Sequence, residues 1–128
     1  MSEETTEPSS VVAEAAALLV EALSNVDGMR VYTNPGADVQ PPGIVLGAPT
    51  LTWGTYSRTY SPSGATWPVF LVCKADAKTL PLMWSLLPKI TAALDGLEPV
   101  AVASATPTLY PVSGAELPAY ELTVEVGL

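Results

Sequence analysis

Apolar and polar positions recur along this chain in two rhythms, one helical and one extended. From Val11 to about Val26 the apolar residues Val11, Ala15, Leu18, Leu19, Ala22, Leu23 and Val26 return at three- and four-residue steps, with Glu14 and Glu21 on the opposite side. This spacing predicts an amphipathic surface helix, capped by Ser9 or Ser10. A second helical stripe of Met83, Leu87, Ile90, Leu94 and Leu97, widened by Leu82, Leu86 and Ala93, predicts a helix covered over much of its circumference. Asp76 or Thr79 can cap it, Pro81 falls in the first turn and Gly96 is placed to stop it. Pro88 inside it removes one hydrogen bond and predicts a kink.

The extended rhythm is clearest in Val69-Phe70-Leu71-Val72-Cys73, an unbroken apolar run of the kind a strand covered on both faces shows. In Tyr120 to Val126, Leu122, Val124 and Val126 alternate with Glu121, Thr123 and Glu125, a half-buried strand. Met29 to Thr33 alternates over a shorter length. Ile44 starts a strand that resumes after Gly47-Ala48-Pro49 through Leu51 and Trp53 toward Tyr60, with Gly47 and Pro49 marking a bulge or an edge. Ser61-Pro62-Ser63-Gly64 then reads as a hairpin turn pairing a Tyr56/Tyr60 arm with the Trp67 arm. Asp27-Gly28 ends the first helix, Asn34-Pro35-Gly36 fits a type II turn, and Ala37 to Gly43, containing Pro41-Pro42, is expected to be an exposed loop. Val100 to Ala105 alternates weakly, Pro107 and Pro111 interrupt it, and Ser113 to Glu116 reads as a loop.

The order α-β-β-β-α-β-β predicts an α+β fold: a mainly antiparallel sheet with two helices packed on one face. Residues 1–9, acidic with almost nothing to bury, are expected to be a flexible tail preceding one domain over 10–128.

Composition narrows the function. The chain is 48% apolar and only 14% charged, with a mean hydropathy of +0.33, so some apolar surface is expected to serve assembly. A net charge of −8, from 13 acidic and 5 basic residues, is the wrong sign for gripping phosphates. It suits a surface along which DNA slides without sticking, and solubility explains it equally well. With one cysteine and no histidine there is no intrachain disulfide, Cys/His zinc site or histidine-based triad. No run approaches the roughly 20 apolar residues that span a bilayer, and MSEETTEPSS lacks the features of a signal peptide, which predicts a cytoplasmic protein or one assembled from cytoplasm.

Candidate chemistry is sparse. Glu121 and Glu125 lie four residues apart on one strand, roughly 13 Å at about 3.3 Å per residue, too far for a glycosidase pair. Cys73 sits in an apolar run with no base to make thiolate, which favours a packing role. Serines near Arg58 lack GxSxG or SxxK spacing, the glycines form no phosphate loop, and Asp76, Asp95 and Glu98 lack EF-hand spacing. Neither an enzyme nor a cofactor or metal is expected. The aromatic set Trp53, Tyr56, Tyr60 and Trp67 admits two readings, an interface centre or cross-strand pairs that stabilise a hairpin.

Several stretches together resemble the tail terminator proteins of long-tailed bacteriophages (siphoviruses), particularly those of actinobacterial hosts: VVAEAAALLVEAL, GMRVYTNP, PPGIVLGAPTLTW, WPVFLVCKAD, and LPLMWSLLPKITAAL ending at DGL. The resemblance covers most of the chain through patterns of apolar and turn residues, without a signature side chain. It implies a virion subunit forming a ring, typically a hexamer, at the head-proximal end of the tail tube. There it stops tube polymerisation and presents a surface for head-tail joining. Its partners are then itself, the major tail tube protein and the neck or connector proteins, with DNA as passing cargo and no membrane. Under it, Trp53, Tyr56, Arg58, Tyr60 and Trp67 of the hairpin and Pro35, Pro41 and Pro42 of the loop are the candidate contacts. Another neck or head-completion ring protein fits the same residues. A ligand-binding domain with a pocket near Trp84 is the rival from a different class.

Overall fold

The computed structural model describes residues 10–26, 29–33, 39–54 and 61–128. They form α1 (Val11–Ser24), β1 (Arg30–Tyr32), β2 (Gly43–Leu46), β3 (Thr50–Thr52), β4 (Gly64–Val72), α2 (Thr79–Asp95), β5 (Val100–Val112) and β6 (Ala115–Gly127). The fold is α+β, in the expected order, with the second strand delivered in two pieces. The sheet runs β1-β2-β4-β6-β5, and β3 pairs with β4 further along it than β2 does. β1 and β2 are parallel and every other pairing is antiparallel.

Ser10 caps α1, its Oγ accepting from the Ala13 N–H at 2.9 Å. The start of α2 departs from expectation, because neither the Asp76 nor the Thr79 side chain accepts a backbone N–H of the helix. Asp76 Oδ1 instead takes the Lys78 N–H at 2.7 Å. The Thr79 hydroxyl accepts from the Asp76 N–H at 2.9 Å and donates to the Lys74 carbonyl, which pins the turn leading in from β4. Gly96 closes α2 with a right-handed φ of −76°, so no left-handed cap is used.

The break between β2 and β3 is a bulge. Leu46 faces Val69 and Thr50 faces Thr66, so the three residues 47–49 oppose the two residues 67–68. The extra residue lets one strand path follow β4 along its whole length. Thr50–Thr52 therefore occupies the position beside Ala65 that sequence spacing assigned to a Tyr56/Tyr60 arm, and β6 occupies the other side.

β5 is also longer than its sequence predicts, running unbroken through Pro107 and Pro111. The hairpin to β6 closes in two residues, Ser113 (φ 49°) and Gly114 (φ 84°), with Val112 opposite Ala115. Positive φ at both positions is the type I′ geometry that matches strand twist.

Both helices cover one face of the sheet. Leu19 and Leu23 of α1 and Met83, Ile90 and Leu94 of α2 meet Ile44, Trp67, Val69, Leu71, Leu122 and Val124 in the main core. A second, smaller cluster on the opposite face holds Val45, Val72 and Ala119 under Val39, with the Phe70 and Tyr110 rings 5.1 Å apart. The division follows strand parity, since Leu71 and Cys73 go to one face and Val72 to the other.

Candidate interaction surfaces

Sequence reasoning grouped Trp53 and Trp67, and the structure separates them. Trp53 follows β3 and is 53% exposed, whereas Trp67 is 2% exposed among Ala65, Val69 and Leu71. Trp67 is therefore core and not a contact residue. An indole of 150–250 Å² removed from water contributes about 4–6 kcal/mol of transfer free energy, which decides the matter for packing.

Pro41 is half-buried and Pro42 exposed, beside a surface cleft of about 540 Å³ shared with Met29, Arg30 and Gln40. Their segment is not the wholly exposed loop expected: Val39 is buried in the smaller core cluster, and Gly43 is buried at the start of β2, where it pairs with Val72. Trp53 lies beyond Thr52, which pairs with Gly64. The proline loop and Trp53 thus sit at opposite ends of β4, roughly 26 Å apart at 3.3 Å per residue. Pro35, Tyr56, Arg58, Tyr60 and the Asn34-Pro35-Gly36 turn lie outside the described residues.

An apolar patch lies where α2 meets the β6/β5 end of the helix-covered face, around the Trp84 that the sequence offered only as the lining of a ligand pocket. Leu80 and Trp84, one turn apart and off the buried stripe of α2, are exposed, Trp84 by 56%. The Trp84 indole N–H donates to the Tyr120 hydroxyl at 3.1 Å. Tyr120 pairs with Pro107 and the neighbouring Pro118 with Leu109, itself 57% exposed. Residues two apart on a strand share a face, so Pro107 and Leu109 extend the patch along β5. The signal was present in the sequence as a Leu80/Trp84 step at helical spacing outside the main stripe.

β5 is the outer edge of the sheet, and the register shows what that edge offers. The Cys73 N–H donates to the Pro118 carbonyl and the Leu128 N–H to the Ser63 carbonyl, so even-numbered residues of β6 bond to β4. Their opposite numbers on β5 below the irregularity at Val102/Ser104 are Ala105, Pro107, Leu109 and Pro111, and these turn their backbone groups outward. Every second outward N–H in this stretch is thus replaced by a proline ring. Such an edge resists the addition of another strand and leaves side chains as its means of contact.

Cys73 is buried in the main core, and burial, with the charge of Asp76 adding to it, pushes its thiol pKa up, away from the nucleophilic form. Glu121 and Glu125 sit on the open sheet face, opposite Phe70 and Thr66 on β4 and Thr106 and Ala101 on β5, with no basic neighbour across either strand. Among the described residues no three acidic or cysteine side chains gather as a metal site, and no helix is long and apolar enough to cross a membrane. No protein-family model matches the chain, and no curated protein matches it in sequence.

Proposed function

We propose that the protein is a structural subunit that assembles into a ring, of the kind that ends a phage tail tube and offers a surface for joining the head. The sequence resemblance supplies the specific role. The observation that carries assembly is the patch of Leu80, Trp84 and Leu109 beside a proline-interrupted edge, because it presents large apolar side chains while hindering open-ended strand addition. Side-chain contacts of this kind are compatible with a closed ring, whereas an unprotected sheet edge invites open-ended strand addition. The charge of −8 agrees with a conduit that does not hold DNA.

The deciding experiment is the solution mass of the purified protein over a dilution series, alone and with tail-tube protein. A species near six times 13.3 kDa, alone or only on the tube, is the expected result. A monomer indifferent to tube protein overturns the assignment.

A further inference from the structure

The helical side of the molecule carries two surfaces of opposite charge, each with an exposed leucine at its centre. The first is a groove between α1 and the end of α2. Two adjoining cavities of about 220 and 380 Å³ share Leu18 and Leu97, and Leu18 is 50% exposed. Leu128 and Val100 extend the apolar lining, and the charged residues that line it are Glu14, Glu21 and Glu98, with no lysine or arginine among them.

The second surface is on α2. Of the four basic residues among those described, Lys74, Lys78 and Lys89 lie on α2 or just before it, and Arg30 is elsewhere. At 100° per residue, Lys78, Leu82, Ser85 and Lys89 fall within an arc of about 60°. All four are exposed, Leu82 by 43%, and their stripe lies apart from both the buried stripe and the Trp84 patch.

We infer that the α1/α2 groove of one copy receives the Lys78–Lys89 stripe of a second copy, with Leu82 over Leu18 and Leu97 and the lysines facing the three glutamates. This rests on the assembly reading above and adds to it a contact between copies that is separate from the Trp84 patch. Charge complementarity selects the occupant: a chain of net charge −8 repels its own copies, and this pairing brings its scarce cations against a carboxylate-lined surface. Because the two surfaces differ, the contact is head-to-tail, and such contacts close into rings when the rotation permits.

The test uses two full-length variants, Lys78→Glu with Lys89→Glu, and Glu21→Lys with Glu98→Lys, under the conditions in which the wild type assembles. Each alone is expected to be at least tenfold weaker in self-association, and an equimolar mixture to regain the wild-type mass, since every contact between unlike variants is again complementary. Recovery on mixing also demonstrates that both variants are folded. If both variants assemble as the wild type does, the groove is not the contact between copies, and a basic helix of another protein becomes its candidate occupant; the ring reading then stands without this contact. Loss of assembly that mixing fails to restore, in variants whose circular dichroism is native, also overturns the pairing. A wild type that stays monomeric with and without tube protein removes the ring reading itself, and this inference with it.

Discussion

Gly47 donates its N–H to the carbonyl of Pro68 at 2.9 Å, and a Cβ on Gly47 would lie 2.8 Å from Pro68 Cγ. Pro68 has no N–H to return, so the ladder between β4 and its neighbour is open at this position, and the bulge of residues 47–49 sits where the ladder is already incomplete. The proline ring fills the space that a side chain at 47 would need. Gly47→Ala is therefore expected to destabilise by about 1–3 kcal/mol through overpacking. Gly96→Ala, where nothing lies within 4 Å of the new Cβ and φ is already negative, is expected to be neutral or to stabilise by about 0.4–1 kcal/mol. Denaturant midpoints of the two variants compare them directly, and equal values would refute the steric account.

The two tryptophans flanking the hairpin region separate by the same kind of measurement. Trp67→Ala empties the centre of the main core and is expected to cost about 3–5 kcal/mol. Trp53→Ala, at an exposed position, is expected to change stability by less than about 1 kcal/mol. Intrinsic fluorescence offers a second readout: the remaining indoles of Trp67→Ala should emit from a more solvated average environment than those of Trp53→Ala.

Restoring the edge amides should change association more than stability. Replacing Pro107 and Pro111 by valine gives β5 two further outward N–H groups and raises its strand propensity. The monomer's unfolding free energy is expected to shift by no more than about 1 kcal/mol, while light scattering on mild heating rises. Unchanged scattering would mean that the edge is shielded by something other than its prolines.

Cys73 gives a pH dependence with a definite sign. Burial raises its pKa in the folded state, with the Asp76 charge adding to it, so above about pH 8.5 the unfolded chain loses this proton first. The folded state then binds more protons than the unfolded one, and the contribution present at neutral pH is lost as pH rises through that range. The stability difference between wild type and Cys73→Ala should narrow on going from pH 7 to pH 10. Alkylation of the native thiol at pH 8 should be slow and should accelerate on unfolding; equal rates would contradict burial.

Much of this architecture was legible because it depends on local periodicity. The centres of the α1 and α2 stripes, a serine cap at Ser9 or Ser10 and the alternation of Leu122, Val124 and Val126 follow from single-element patterns, and the packing of both helices on one face followed from their order. The stripes are narrower than periodicity predicts: Val11, Leu18 and Leu82 are exposed, and α2, with Leu80 and Trp84 also exposed, is covered on one side only, because a single sheet face and α1 are all it packs against. Trp67 could have been placed by the same reasoning, since it shares parity with Val69 and Leu71. β5 was another matter. Whether Pro107 and Pro111 break a strand or only its outer edge depends on which way their nitrogens point, and that is fixed by pairing with β6, which no window of sequence contains. The one-residue excess at 47–49 was likewise visible as a Gly-Ala-Pro irregularity, but its effect on which segment lies beside Ala65 depends on register. Of the candidate contacts, Trp53 and Pro42 are exposed; the Leu80/Trp84 step was visible in the sequence, but its union with Tyr120 and Leu109 into one patch depends on how α2 lies on β6 and β5.

The strand order also sets a schedule for synthesis. β6 lies between β4 and β5, yet it is made after both. Until Ala115–Gly127 emerges, β4 lacks its longest partner and β5 has none, so the nascent chain waits with a gap in the middle of its sheet. A partly made chain in that state is open to pairing with its neighbours on a polysome. The prolines of β5 blunt only the edge that faces away from β6, so the edge that waits for β6 keeps its N–H groups ready for the strand that arrives last.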